Sequence, residues 1–396
     1  MTAATTPRKP RVLWLHTQPE HYHNCMMDDL AKEGTYEYIA AFSYKGQGWY
    51  TEVPTPRVAT TVFLEPKPGL ERSAPTMRSA YHKDWRAQLY PLEFDAAIVA
   101  GYGYRAHREL IRDCRARKIP VAMFSDSNIR SQRGDTFRDR ARRMLKKRVL
   151  RPLIADVDYL LTANRLGVAY WRYYGAAACK IVRCPYYADY SRVDAARQTS
   201  RAVVLDRLKL PGEARYIFSA ARLVPAKGLH LAIQAFRELK LAERGWHYVL
   251  AGVGPLESEL KTLAGELEGR GVHFVGFQQP TDNLAVMAHA DVFVLPSVYE
   301  PHGIVVQEAM ASGTPVLASD VCGAAYDLVR PGVSGELFVS GNVQSLEQKL
   351  AALIGDGQRL AAMRASSREA FERWFAATSP IWVIPDVVSR MLRQRA

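Results

Sequence analysis

The stretch 291–319, DVFVLPSVYEPHGIVVQEAMASGTPVLAS, constrains the fold more than any other. Residues 292–295 form a short apolar run, which reads as a buried strand. Pro296 and Pro301 interrupt either periodicity over 296–302, so that segment reads as a loop. Gly303 then opens a helix to about residue 312. Gly313-Thr314-Pro315 breaks it, and 316–318 begins a second apolar strand. Strand, loop, helix and strand in this order are the signature of a parallel α/β layer.

Two carboxylates lie in this unit, Glu300 on the loop and Glu308 on the helix. Between them the amides of Gly303, Ile304 and Val305 form a helix N-terminus. Unsatisfied donors and the positive end of the helix dipole make such a terminus an anion site. Glycine at its head lets a ligand approach the backbone closely. The layout suits a nucleotide sugar, with phosphate on the helix end and a carboxylate on either side to accept hydroxyl hydrogen bonds. A solvated helix with two ordinary surface acids has the same bare spacing, so the loop around them has to decide.

Pro296-Ser297, Glu300, His302-Gly303, Glu308-Ala309-Met310 and Gly313-Thr314-Pro315-Val316 together resemble the donor site of glycosyltransferase family 4, retaining enzymes of the GT-B fold. The resemblance extends more loosely over about 200–375. It implies that Glu300 contacts the donor sugar hydroxyls, that Glu308 holds the ribose, and that Gly303, Ile304 and Val305 offer amides to the distal phosphate and sugar. The family also places an Arg and a Lys on the donor diphosphate in an R-x4-KG pattern, matched here by Arg222, Lys227 and Gly228. The physics agrees, because fixed cations at a strand-end loop stabilise a departing diphosphate without a metal. By the same resemblance the loop bearing Phe277 and Gln278 edges the nucleobase, largely through backbone groups, and Gly252, at the end of the strand 249–252, is a further candidate for donor binding.

The chain has 396 residues, enough for about two or three domains. The expected fold class is α/β: two doubly wound, Rossmann-like domains facing across a cleft in the GT-B manner. Domain one would span 1–195 and bind the acceptor. Domain two, 196–376, would bind the donor, and a last helix, 377–396, would cross back onto domain one. Residues 11–16, 36–42, 94–100 and 121–124 read as domain-one strands, and 191–208 as a short connecting helix. The first loop, Thr17-Gln18-Pro19-Glu20, lacks the glycine-rich turn that many family members carry. Where many of them place a histidine, this chain has Ser125-Asp126. Strand ends line the cleft of an open α/β sheet, so Asp126 is the domain-one candidate for a catalytic or acceptor-positioning carboxylate; capping a turn is its bland alternative.

Residues 43–92 read as irregular, partly helical near 70–90. Tyr44, Trp49, Tyr50, Tyr81 and Trp85 mark this segment either as an acceptor loop or as a plain surface excursion. His16, His21 and His23 crowd one loop without a recognisable ligand spacing. Asp156-Val157-Asp158 reads as strand-edge solvation rather than a metal-binding pair.

The net charge of +13 implies attraction to something anionic. It is concentrated in 137–151, where Phe137, Ala141, Met144, Leu145 and Val149 recur at helical spacing among eight Lys and Arg. Such a helix either turns its apolar face to the core or lies on an anionic membrane surface. Five scattered cysteines without a CxxC fit a reducing cytosol. No apolar run approaches the ~20 residues of a membrane span, and 1–10 lack an apolar signal core. The expectation is a cytoplasmic chain, peripheral on the membrane at most. It would take a nucleoside-diphosphate sugar as donor and a saccharide or lipid-linked acceptor. No cofactor, metal or nucleic acid is expected. A same-fold nucleotide-sugar epimerase and a non-catalytic basic anion-binding protein are the alternative readings.

Overall fold

The computed structural model describes residues 8–45, 55–70, 81–132 and 136–394. Seven strands form the first sheet: β1 (Arg11–His16), β2 (Glu37–Phe42), β3 (Thr60–Phe63), β4 (Ala96–Ala100), β5 (Val121–Ser125), β6 (Tyr159–Thr162) and β7 (Ile181–Arg183). All are parallel, in the order β3-β2-β1-β4-β5-β6-β7. The chain winds outward from β1 through β2 to β3, then returns to β4 and winds the other way. The switch point, where an open α/β sheet forms its crevice, therefore lies between β1 and β4. Six strands form the second sheet: β8 (Arg215–Ala220), β9 (Trp246–Ala251), β10 (Val272–Gly276), β11 (Val292–Leu295), β12 (Val316–Ser319) and β13 (Gly335–Phe338). Their order, β10-β9-β8-β11-β12-β13, puts the second switch point between β8 and β11. Helices cover both faces of each sheet, which is why the central strands read as unbroken apolar runs.

The connection after domain one is two short helices, Ser191–Arg197 and Arg201–Arg207, where the sequence suggested one. Val193, Ala196, Val204 and Leu205 join the core of domain two. The helix Gly357–Thr378 belongs to the same domain and ends before Ser379-Pro380. The last helix, Pro380–Arg393, returns to the first sheet, where Ile384, Val387, Val388 and Met391 pack with Val12, Trp14 and Tyr38.

Three expectations need correction. Residues 43–92 are not wholly irregular, because β3 pairs in register with Ile39–Phe42 at the edge of the first sheet. A four-residue edge strand is too short for its alternation to stand out. Tyr81 and Trp85 do not line an acceptor loop, because both are buried in domain one and the Trp85 indole N–H donates to Glu109. Trp49, Tyr50 and the segment 71–80 lie outside the described residues. The basic helix runs from Phe137 to Asp156, and only Leu150, Leu153 and Ile154 of it are buried. Its earlier apolar residues face solvent, so the core-facing reading of that stripe fails. Asp158 accepts from the Val121 amide at 2.8 Å, a strand-edge role. Among the described residues no helix is long and apolar enough to cross a membrane, and no group of three His, Cys, Asp or Glu is placed to hold a metal ion.

Candidate active site

The site is built on the carboxyl ends of β8 and β11. After β8 the chain makes a tight turn, Pro225–Lys227, and Gly228 adopts a left-handed φ of +60°. A side chain at Gly228 would collide with the Pro296 carbonyl oxygen, so glycine lets the two strand-end loops touch. The Ala226 carbonyl accepts from the amides of Val298 (2.9 Å) and Tyr299 (3.1 Å), stitching the loops together. Lys227 is thereby brought to Glu300, with Nζ 2.5 Å from Oε2. The Ser297 hydroxyl donates to the same oxygen at 3.2 Å. Both partners of the ion pair are largely buried. Among the described residues Oε1 of Glu300 has no protein donor and stays available to a ligand hydroxyl.

The two cations that the sequence assigned to a diphosphate differ in their present partners. Lys227 is committed to Glu300. Arg222 is exposed, and its guanidinium makes no ion pair among the described residues. Among the described residues Arg222 is thus an uncompensated cation on the rim.

Gly303 caps the helix Ile304–Ala311 at φ +86° and offers no side chain to its first amides. An added Cβ would sit 2.6 Å from Cys322 Sγ and 3.2 Å from Glu300 Cγ, so the position excludes every other residue by both space and φ. The Cys322 thiol donates to the His302 carbonyl at 3.1 Å, fixing the approach to the cap. One turn along, Glu308 is half-buried, and burial pushes its carboxyl up to about 7. No cation or hydrogen-bond donor offsets that burial among the described residues. Such a group can exchange hydrogen bonds with a diol.

On the same rim Gly252 follows β9 at φ +133°. A Cβ there would strike the Ala221 carbonyl, so Gly252 seats the loop that carries Arg222. Phe277 and Gln278 follow β10 at the far edge, two strands from β8. Phe277 is 44% exposed, and the Gln278 amide donates to the Val275 carbonyl at 2.6 Å.

Across the cleft, Asp126 follows β5 and accepts from the Tyr186 hydroxyl at 3.3 Å. Burial pushes its carboxyl up, and the nearby charges of Glu20 and Glu300 push it further. A cavity of about 160 Å³ opens here at the first switch point, lined by Gln18, Glu20, His23, Asp126 and Tyr186 among others. His16 is buried, and burial keeps it neutral. Its ring lies 4.6 Å from that of His23.

Sequence reading missed the residues that join the halves. The Asn128 amide donates to the carbonyls of Val321 (2.7 Å), Glu300 (3.3 Å) and Pro301 (3.3 Å). The Asn164 amide donates to Pro301 at 3.0 Å while its carbonyl oxygen accepts from Gly167 N, capping the helix Arg165–Tyr173. Behind the loop carrying Glu300, Tyr190 donates to Gln307 (3.1 Å) and Gln307 to His302 (2.9 Å), whose ring burial drives to about 3. The strand-end positions of Asn128 and Asn164 were the available signal. Their partners, up to 193 residues away, were not.

Two doubly wound domains meeting over such a rim define the GT-B architecture, and solved structures agree. HepE of Anabaena, crystallised with UDP and glucose, superposes with a TM-score of 0.71 at 19% identity, covering 96% of this chain and 99% of that one. Sucrose-phosphate synthase of Thermosynechococcus elongatus gives 0.73 at 18%, covering 98% and 100%. Residues 202–370 match the family model "Glycosyl transferases group 1". The resemblance read from the sequence and this family model therefore meet on domain two. The WcaL protein of Salmonella typhimurium, assigned to colanic acid biosynthesis as a glycosyltransferase, is 37% identical over 40% of this chain and 39% of its own length. The lipopolysaccharide core glycosyltransferase LpsE of Rhizobium meliloti is 34% identical over 40% and 45%. These matches span less than half of each relative.

Proposed function

We propose that the protein is a retaining, metal-independent glycosyltransferase. It moves a hexosyl group from a nucleoside-diphosphate sugar to a saccharide or lipid-linked acceptor in the assembly of a cell-surface polysaccharide. The observation that carries this reading is the convergence of Arg222, the Lys227–Glu300 pair, the open helix end at Gly303 and Glu308 on one rim, opposite Asp126. Relatives assigned to colanic acid and lipopolysaccharide core synthesis support the polysaccharide context.

In this reading Glu308 takes the ribose hydroxyls. The amides of Ile304 and Val305, with Arg222, take the diphosphate, and Glu300 Oε1 takes a sugar hydroxyl. Lys227 holds Glu300 in place. Charge grows on the leaving phosphate as the bond from the anomeric carbon to its oxygen breaks, and the dipole end and Arg222 stabilise that charge. The acceptor oxygen, positioned beside Asp126, bonds to the same face of the carbon. Its proton passes to the leaving phosphate oxygen, so no protein nucleophile is consumed. Retention rests on the family resemblance.

Thermal shift against nucleoside diphosphates and their sugars, with and without EDTA, tests the donor site. A ligand at a hundredfold excess over Kd adds about 2.7 kcal/mol of stability. The uridine series is the first to try, since a similar structure holds UDP. Stabilisation by one base, insensitive to EDTA, is expected. No shift with any nucleotide would sink the reading. NMR of the product then decides the stereochemistry, and an inverted anomeric centre would exclude retention. Sugar interconversion without any acceptor would replace transfer by epimerisation.

A further inference from the structure

The helix Phe137–Asp156 is unexplained by the donor rim or the acceptor cavity. Its twenty residues reach about 30 Å. Leu150, Leu153 and Ile154 anchor its last turns to domain one, while its first three turns stand away from the core. On them Phe137 is 86% exposed, Met144 63%, Leu145 62% and Val149 48%. Phe137, Ala141 and Met144 are spaced four and three apart, so they form one line along the helix, with Leu145 and Val149 beside it. Clustered apolar exposure of this kind marks an interaction surface.

The charge says what lies against it. The helix carries eight Lys and Arg against two Asp, and Asp139 is engaged in a capping box with Thr136. Lys146 lies over the buried ring of Tyr170 (5.1 Å) and Lys147 over the half-exposed ring of Tyr173 (5.8 Å). Arg138, Arg140, Arg142, Arg148 and Arg151 are exposed around the apolar line. A nucleic acid or other soluble polyanion would engage those arginines but leave Phe137, Met144 and Leu145 in water. An anionic bilayer surface satisfies both, with phosphates for the guanidinium groups and the acyl boundary for the apolar side chains. The chain also enters this helix from the loop after β5, and leaves it just before β6. Its free end therefore lies toward the carboxyl-end rim, where the cavity beside Asp126 opens.

We propose that this face docks the protein on an anionic lipid bilayer, holding the acceptor cavity at the membrane surface. The test is co-sedimentation of the full chain with vesicles of phosphatidylcholine alone or with about a third phosphatidylglycerol. It needs neither donor nor acceptor, so its outcome is independent of the transferase reading. Binding is expected only to the anionic vesicles, and is expected to weaken sharply near 1 M salt, where the screening length falls to about 3 Å. The variant F137S/M144S/L145S, which keeps every arginine, should bind at least about tenfold more weakly. The variant R138Q/R140Q/R148Q should lose the preference for anionic lipid. Both remove exposed side chains, so both should melt with the wild type. Wild-type protein left in the supernatant would overturn the proposal. So would an apolar variant that binds as wild type, which would leave only a polyanion patch. A wild-type dimer in sedimentation equilibrium that the apolar variant abolishes would give the face to a second copy, and also overturn it.

Discussion

At the scale of single residues the site depends on groups held where solvent would not put them. Glu308 is the clearest. Burial favours its protonated form, so its folded pKa, about 7, lies above its unfolded value. Its contribution to stability is present at low pH and is lost as pH rises through about 7. The melting temperature of the wild type should therefore fall more between pH 6 and 8 than that of Glu308→Gln. A ribose diol donates to the ionised form, so nucleotide affinity should rise over the same interval in the wild type and stay flat in the variant. Titration calorimetry at three pH values reads this, and parallel profiles would remove Glu308 from the ribose.

The Lys227–Glu300 pair makes a second prediction at this scale. Removing one partner of a buried pair strands the other charge, which costs about 3–5 kcal/mol, less here because Lys227 is one-fifth exposed. Lys227→Ala should be markedly destabilising, and the double variant with Glu300→Ala less so than the sum. Denaturant melts of the four proteins measure the coupling. Additive losses would mean that the two side chains act separately. Gly303→Ala should cost about 1–2 kcal/mol for the left-handed φ alone, more with the Cys322 contact, and should weaken nucleotide binding.

At the scale of elements, the loop carrying Glu300 is held from the opposite domain. Asn128 and Asn164 grip its carbonyls, which ties the position of Glu300 to closure of the cleft. Asn128→Ala should raise the KM for the donor sugar about tenfold, near 1.4 kcal/mol, while free nucleoside diphosphate binds as before, because the contacts proposed for it lie within domain two. Equal loss for both ligands would show that Asn128 supports the whole domain rather than the loop. The Arg130–Asp320 pair at 3.2 Å strengthens the same interface.

At the scale of the whole molecule, the last helix closes domain one with residues distant in sequence. Removing 380–396 would uncover the apolar cluster around Val12, Trp14 and Tyr38. Four large buried side chains at about 1.5–3 kcal/mol each are comparable with the stability of a domain. Calorimetry of the truncated chain should lose the domain-one transition, while domain two keeps its nucleotide binding. A full-height domain-one transition would make the crossing helix dispensable.

Much of this was legible in the chain. Unbroken apolar runs, and the glycines and prolines between them, gave the parallel strands, because two-sided burial and turn chemistry act on neighbours in sequence. Strand ends face the cleft in any such sheet, so Arg222, Lys227, Glu300 and Glu308 could be placed on one rim before any coordinates. Other features were decided only when the domains came together. The commitment of Lys227 to Glu300, the grip of Asn128 on Val321, and the exposure of Phe137 and Met144 all depend on which surfaces meet. A helix carries the same periodicity whether its apolar side faces a core or a solvent that a membrane can replace. Local pattern fixes the period of a helix, while only long-range packing fixes what its face sees.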